Sequence, residues 1–135
     1  MSSVFADASF FIATIDPRAQ HHESSRRAFT RLDAPILYTS ADVASEVLAH
    51  FAKWQRGMRL RAHRLLNSLI LDPDVRFHYS DENTFHRALA FYASRPDKDY
   101  SLVDCRSMLL MQDFGIQHVL SSDIHFEQEG FFKLF

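Results

Sequence analysis

The sequence contains few of the residues that cross-link a chain or break its regular structure. Among 135 residues there are 1 cysteine, 3 glycines and 4 prolines. A lone cysteine excludes an internal disulfide bond and a multi-cysteine zinc site. No glycine-rich loop follows a predicted strand, which excludes a Walker site or a dinucleotide-binding site.

Long apolar runs and an excess of one charge are also absent. No run approaches the roughly 20 residues that span a bilayer, and the N-terminal residues lack the basic region of a signal peptide. We therefore expect a cytoplasmic protein with no membrane partner. The 15 basic and 17 acidic residues give a net charge of −2, so the overall charge predicts no polyanionic partner.

What is present favours one folded domain over residues 1–135. Hydrophobic residues make up 47% of the chain and include 13 phenylalanines, which argues against disorder and leaves enough apolar surface for a core. Short apolar runs alternate with longer helical patterns, and this alternation predicts an α/β fold: a three-layer α/β/α arrangement around a mostly parallel sheet. The predicted strands are 3–6, 36–38, 75–79, 116–120 and an edge strand at 131–135. The predicted helices are 8–15, 19–33, 40–57 ending at Gly57, 59–71, 81–95, 101–115 ending at Gly115, and a short turn after Asp123.

Polar residues follow each of the first four predicted strands. Ligands of parallel α/β sheets bind outside the carboxyl ends of the strands, so these residues are candidates for a site. Carboxylates and hydroxyls suit a hard cation, Mg²⁺ or Mn²⁺, better than zinc. The residues in question are Asp7, Thr39-Ser40, Ser80-Asp81 and Ser121-Ser122-Asp123.

Four of the acidic residues also have simple structural interpretations. Asp7 and Asp123 each stand where an N-cap would be. Glu46 lies mid-helix beside an apolar stripe and could be a surface glutamate, whereas Asp104 projects from a mostly apolar helix but also completes a capping box with Ser101. The topology would bring these four acids to one edge of the sheet, where they would repel one another unless a divalent metal neutralised them.

Four segments together resemble the PIN-domain family of metal-dependent nucleases, over nearly the whole chain. Within that family the sequence is most similar to VapC-like toxins of type II toxin–antitoxin pairs. The segments are 4–9 (VFADAS), 39–48 with Glu46, 99–105 (DYSLVDC) and 121–126 (SSDIHF).

The resemblance implies a divalent-metal-dependent endoribonuclease that leaves 5′-phosphate and 3′-hydroxyl ends. Asp7, Asp104 and Asp123 would hold one or two Mg²⁺ or Mn²⁺ ions, and Glu46 would position the attacking water. Other side chains would orient these carboxylates: Ser9, Thr39 and Ser121. Ala8 departs from the threonine or serine common in the family.

The sequence gives weaker signals for contacts to RNA and to proteins than for the acidic site. A basic stretch with Trp54 in it could hold a phosphate backbone or simply be a solvated helix face; its cations are Lys53, Arg56, Arg59, Arg61 and Arg64. The segment Arg18–Arg31 is a second basic candidate. A small antitoxin could occupy the acidic cleft, and surplus phenylalanines could serve it or a homodimer.

Other polar residues favour ordinary roles. We interpret His21, His22 and His125 as surface histidines, Asp99 as a solvated turn and Cys105 as a small core residue. Two other functions stay open at this stage. The chain could be a catalytically silent module that binds RNA or protein, or an aspartyl-phosphate receiver or phosphatase, although Ala8-Ser9 after Asp7 leaves no Asp-x-Asp motif.

Overall fold

The computed structural model describes residues 2–53 and 56–135, without the side chain of Arg56. The described strands are Ser3–Ala6 (β1), Ile36–Ser40 (β2), Val75–His78 (β3), His118–Leu120 (β4) and Phe132–Lys133 (β5). The described helices are Ala8–Ile15 (α1), His22–Thr30 (α2), Ala41–His50 (α3), Arg56–Leu71 (α4), Glu82–Ala93 (α5), Leu102–Asp113 (α6) and Ile124–Gln128 (α7). No helix in these ranges is long and apolar enough to cross a bilayer.

The five strands form one sheet in the order β3-β2-β1-β4-β5, and every pair is parallel. The first strand lies at its centre, with Phe5 level with Tyr38 of β2 and Val119 of β4. A central parallel strand is covered on both faces, which is why β1 is a continuous apolar run rather than an alternating one. The predicted α/β architecture is confirmed, and the sheet is more uniformly parallel than expected.

The helices pack in two groups around this sheet. Helix α1 contacts α2, α3 and α4, and α6 contacts α5 and α7. Large apolar side chains from both groups and from the sheet are almost completely buried, and burial of such a side chain stabilises the fold by about 1.5–3 kcal/mol. These include Phe5, Phe11, Phe51, Met108, Met111 and Phe126.

One predicted helix end is wrong. Helix α3 ends at His50 with Phe51 as its C-cap, whereas Gly57 lies in the first turn of α4. Phe51 has an ordinary backbone φ of −91° and its N–H donates to the Val47 carbonyl oxygen at 3.2 Å. This ending needs no residue in the left-handed region, so no glycine marks it in the sequence.

Gly115, in contrast, marks a helix end as predicted. It follows the C-cap of α6 with a φ of +66°. A side chain is disfavoured in this left-handed conformation, and glycine is not. The turn directs the chain from α6 into β4, the strand that leads to the last acidic segment.

Candidate active site

The site lies at the carboxyl edge of β1 and β4, the two neighbouring central strands. The Asp7 N–H donates to the Leu120 carbonyl oxygen at 3.1 Å, which extends the ladder by one step beyond β1. Asp7 and Ser121 therefore stand side by side although 114 positions separate them. A parallel sheet makes this juxtaposition because its carboxyl ends all meet at one edge.

Asp7 is buried and held by hydroxyls rather than by a cation. Its Oδ2 accepts hydrogen bonds from Ser9 Oγ at 3.1 Å and Ser121 Oγ at 3.0 Å. The side chain makes no capping hydrogen bond to α1, so the N-cap interpretation does not account for this aspartate. Burial raises the pKa of Asp7 to about 6, with the nearby charge of Asp104 adding to the rise while the hydroxyl bonds oppose it.

The two serines connect this carboxylate to the loop after β4. Ser121 Oγ also accepts the Asp123 N–H at 3.0 Å, and Ser9 Oγ accepts the Ser122 N–H at 3.2 Å. Ser121 is completely buried. Both side chains therefore fix Asp7 and the start of the Asp123 segment relative to each other.

Thr39 is placed differently from these serines. Its hydroxyl donates to the Ala6 carbonyl oxygen at 3.0 Å, and a hydroxyl has only one proton to donate. The residue therefore does not donate to a carboxylate, as a direct orienting role would require. It ties β2 to β1 one residue before Asp7, so it acts on that aspartate only through the backbone.

Asp104 caps its own helix and still reaches the site. Its Oδ2 accepts the Ser101 N–H at 3.0 Å, and its own N–H donates to Ser101 Oγ at 3.0 Å, which completes the capping box. The same Oδ2 lies 3.1 Å from His125 Nδ1. The capping interpretation is therefore correct, but this buried carboxylate also contacts His125.

His125, predicted to be a surface histidine, lies in the site instead. Its side chain is 23% exposed, and Nδ1 lies 3.1 Å from Asp104 Oδ2 and 3.3 Å from Asp123 Oδ1. Asp123 caps α7 by accepting the His125 N–H at 3.0 Å, which places the imidazole on the first turn of that helix. In the sequence, only the spacing Asp-x-His at a predicted N-cap indicated this position of His125. The packing of α7 on α6 then brings the imidazole to Asp104.

Glu46 faces the same group of acids from α3. It is half-buried, and burial together with the charges of Asp7, Asp104, Asp123 and Asp42 raises its pKa to about 7. The surface interpretation does not fit these surroundings, because a solvated glutamate would keep its ordinary pKa. The charges of the other three predicted acids thus all act on Glu46, which places the four at one edge of the sheet.

The described residues contain one compact group suited to a metal ion: Asp104, Asp123 and His125. One ligand atom from each lies within 4.8 Å of the others. Two carboxylate oxygens with one imidazole nitrogen fit Mn²⁺ well, and the carboxylates also fit Mg²⁺. Asp7 is not a member of this compact group, whereas the sequence analysis placed it among the direct ligands.

The predicted basic stretch is exposed and spread around α4. Lys53, Arg59, Arg61 and Arg64 all face solvent, while Trp54 and the side chain of Arg56 lie outside the described residues. Arg59 Nη1 donates to the Ala52 carbonyl oxygen. Successive helical positions rotate by about 100°, so Arg59 and Arg61 point to different sides of α4, and the described cations of the stretch do not share one face.

The two basic segments do meet at one place. Arg61 of α4 and Arg26 of α2 line the same groove, together with Phe10 and Phe29. Cations beside aromatic rings can contact a nucleic-acid backbone and its bases. A role in RNA binding for Lys53, Arg56, Arg59, Arg61 and Arg64 stays a prediction.

Comparisons with known proteins agree with this geometry. The family model of the PIN domain matches residues 4–131. No curated protein sequence matches the chain significantly. The crystal structure of VapC20 from Mycobacterium tuberculosis, described as a sarcin–ricin loop cleaving toxin, superposes with a TM-score of 0.84 at 23% identity and 95% coverage of both chains.

Two further structures are similar over most of their length. FitAcB from Neisseria gonorrhoeae has a TM-score of 0.63 at 15% identity, covering 91% of this chain and 89% of its own. FitAB bound to an IR36 DNA fragment has a TM-score of 0.62 at 16% identity, covering 90% and 86%. At such identities the likeness establishes the shared fold.

Proposed function

The chain belongs to the PIN-domain family, and from this premise we propose that it is a divalent-metal-dependent endoribonuclease. The observation that carries the proposal is the convergence of Asp7, Glu46, Asp104 and Asp123 at the carboxyl edge of the sheet, where Asp7 and Glu46 both have raised pKa values. Like charges gathered in this way are relieved by a bound cation.

Asp104 and Asp123 would hold Mg²⁺ or Mn²⁺, with His125 as the third donor of the compact group and Asp7 at its border. A bound divalent cation supplies an activated water and stabilises the charge that develops on the leaving oxygen. Ser9 and Ser121 hold the Asp7 carboxylate in one orientation, and ordered carboxylates bind metal more tightly than mobile ones.

Glu46 is suited to act as the general base. A base is most effective when its pKa lies close to the working pH, and burial, the largest cause of the raised pKa of Glu46, does not depend on the metal. The other three carboxylates have cap or hydroxyl partners, whereas Glu46 stands mid-helix on α3 with no cap to form. It would take the proton from the attacking water.

RNA is the proposed substrate, and toxicity is the proposed consequence of its hydrolysis. Support comes from VapC20, which is a sarcin–ricin loop cleaving toxin. A small antitoxin would offer lysine or arginine to the acidic edge. A homodimer would use the apolar face of α5, where Phe85, Leu89 and Tyr92 are exposed at helical spacing.

The test compares Asp104→Asn and Asp7→Asn with the wild type in Mn²⁺-dependent cleavage of several RNAs. Both variants should lose cleavage, whereas Glu82→Gln should not, since the Glu82 side chain is 91% exposed on α5. Adding Mn²⁺ after EDTA should raise the Tm of the wild type by mass action and raise that of Asp104→Asn much less. Full cleavage by both Asn variants would refute the mechanism, and metal-dependent stabilisation without any cleavage would support the silent binding module instead.

A further inference from the structure

A small aromatic cavity lies beside the candidate active site, where the end of β3 meets α5 and α6. Its volume is about 110 Å³, well below the roughly 300 Å³ at which pockets for larger ligands begin. The rings of His78, Tyr79 and Phe114 line it. Tyr79 is 69% exposed and Phe114 51% exposed, so two aromatic surfaces are open to a ligand.

One buried polar atom in the cavity wall has no partner. His78 Nε2 is inaccessible to solvent and makes no hydrogen bond to any described residue. The imidazole stacks on Tyr38 at 5.8 Å and lies 4.9 Å from the Phe114 ring. Burial lowers the pKa of His78. Because Nε2 is closed to solvent, the ring offers a ligand in the cavity an aromatic surface and not a hydrogen-bonding partner.

The charges around the cavity are already compensated. Arg106 contacts Asp42 at 3.1 Å, and Arg87 forms two hydrogen bonds to Asp113 at 2.8 and 2.9 Å. A free phosphate would have to compete with carboxylates for these guanidinium groups. A neutral ring would not, because stacking needs only an aromatic surface.

The cavity also adjoins the proposed reaction centre. Asp42 lines it, and Asp42 and Glu46 are one turn apart on α3. Side chains at this spacing have Cβ atoms about 5–6 Å apart. One nucleotide of an extended strand can span that distance, so a phosphate near Glu46 would carry its neighbouring base to the cavity.

We propose that this cavity binds one unstacked nucleobase of the RNA, next to the phosphate that is cut. The inference rests on the proposed function, since it assumes an RNA substrate at the Glu46 edge. The base would stack on the exposed rings of Tyr79 or Phe114.

The experiment measures binding of the four nucleoside 5′-monophosphates by NMR titration in EDTA, with ribose 5-phosphate as the probe that lacks a base. At least one nucleotide should bind about 5-fold or more tightly than ribose 5-phosphate, given the usual strength of base stacking. Phe114→Ala should abolish this preference. Phe132→Ala is the matched control, with a ring 58% exposed on β5 at the opposite edge of the sheet.

Equal binding of nucleotides and ribose 5-phosphate by the wild type would overturn the proposal, as would a base preference that survives in Phe114→Ala. Neither result depends on cleavage, so the outcome is separate from that of the ribonuclease test. In cleavage assays Phe114→Ala should raise KM about 5-fold with kcat unchanged. If Phe114→Ala lost binding to a protein partner but kept the base preference, the cavity would belong to that partner instead.

Discussion

The carboxylates of this protein fall into two groups that differ in how their charge is balanced. Outside the candidate site, Asp113 pairs with Arg87 and Glu129 with Arg95, and both carboxyl pKa values are held below their usual range by these hydrogen bonds. At the sheet edge, Asp7 and Glu46 have serine or carboxylate neighbours and raised pKa values. The chain has arginines to pair with acids, yet no arginine side chain that the structure describes forms an ion pair with either of these two.

This difference identifies the charges that lower the stability of the fold. An arginine-paired carboxylate contributes to the stability of the fold, whereas grouped carboxylates oppose it until a cation binds. Sites that are unfavourable in the empty protein are typical of functional regions. Three predictions test this contrast, beginning with the largest expected effect.

Removing the charge of Glu46 should have the largest effect. Glu46→Gln should lower kcat for RNA cleavage by about 100- to 10,000-fold, the usual contribution of a general base. The variant should still bind metal, because Asp104, Asp123 and His125 are intact. Glu129→Gln, which changes an arginine-paired acid, should retain kcat. Similar losses in both variants would show that the two groups do not differ in function.

Changing His125 should have an intermediate effect. His125→Ala removes the imidazole between Asp104 and Asp123, and loss of such a neighbour typically costs 10- to 100-fold, to order of magnitude, in metal affinity or activity. The measurement is the Mn²⁺ concentration for half-maximal cleavage. His86→Ala is the control, since the His86 side chain is 67% exposed on α5. An unchanged metal requirement in His125→Ala would remove the histidine from the site.

The smallest expected effect is on Tm without metal. Neutralising a clustered carboxylate and neutralising an arginine-paired one should shift Tm in opposite directions. Above pH 7 in EDTA, Glu46→Gln should raise Tm, because the native pKa of about 7 lies above the ordinary value of 4.5 and ionisation therefore destabilises the native state. The change should be modest, since water screens a half-exposed charge; about 1 kcal/mol corresponds to roughly 4 °C here.

Glu129→Gln should lower Tm at the same pH. The native pKa of Glu129 is depressed, so its stabilising contribution is present above the ordinary pKa and is lost as pH falls through the native value. The substitution weakens the two hydrogen bonds from Arg95 and one from Tyr100. Thermal melts of both variants from pH 5 to pH 8 give the comparison, and shifts of the same sign would contradict it.

Local patterns in the sequence predicted much of the fold. The apolar run 3–6 ends at an acid, and the structure places β1 and α1 at the predicted bounds. The Ser101–Asp104 capping box was equally legible, since a cap depends on residues within one turn. The PIN-domain resemblance, carried by four short segments, is confirmed over residues 4–131.

Contacts between distant elements could not be predicted in this way. The place of His125 depends on how α7 packs on α6, and the hydrogen bond of Thr39 to Ala6 depends on strand register. The aromatic cavity combines β3, α5 and α6, and no periodicity within one element reveals it. Gly57 was misleading because the end of α3 does not use a left-handed residue.

The central position of β1 has a consequence for synthesis of the protein. Asp7 is translated near the start, but its neighbour Ser121 and the strand β4 beside it come more than a hundred residues later. Pairing of such distant segments must wait until both have left the ribosome. A nascent chain therefore carries an incomplete candidate site until residues 121–123, which follow β4, have emerged.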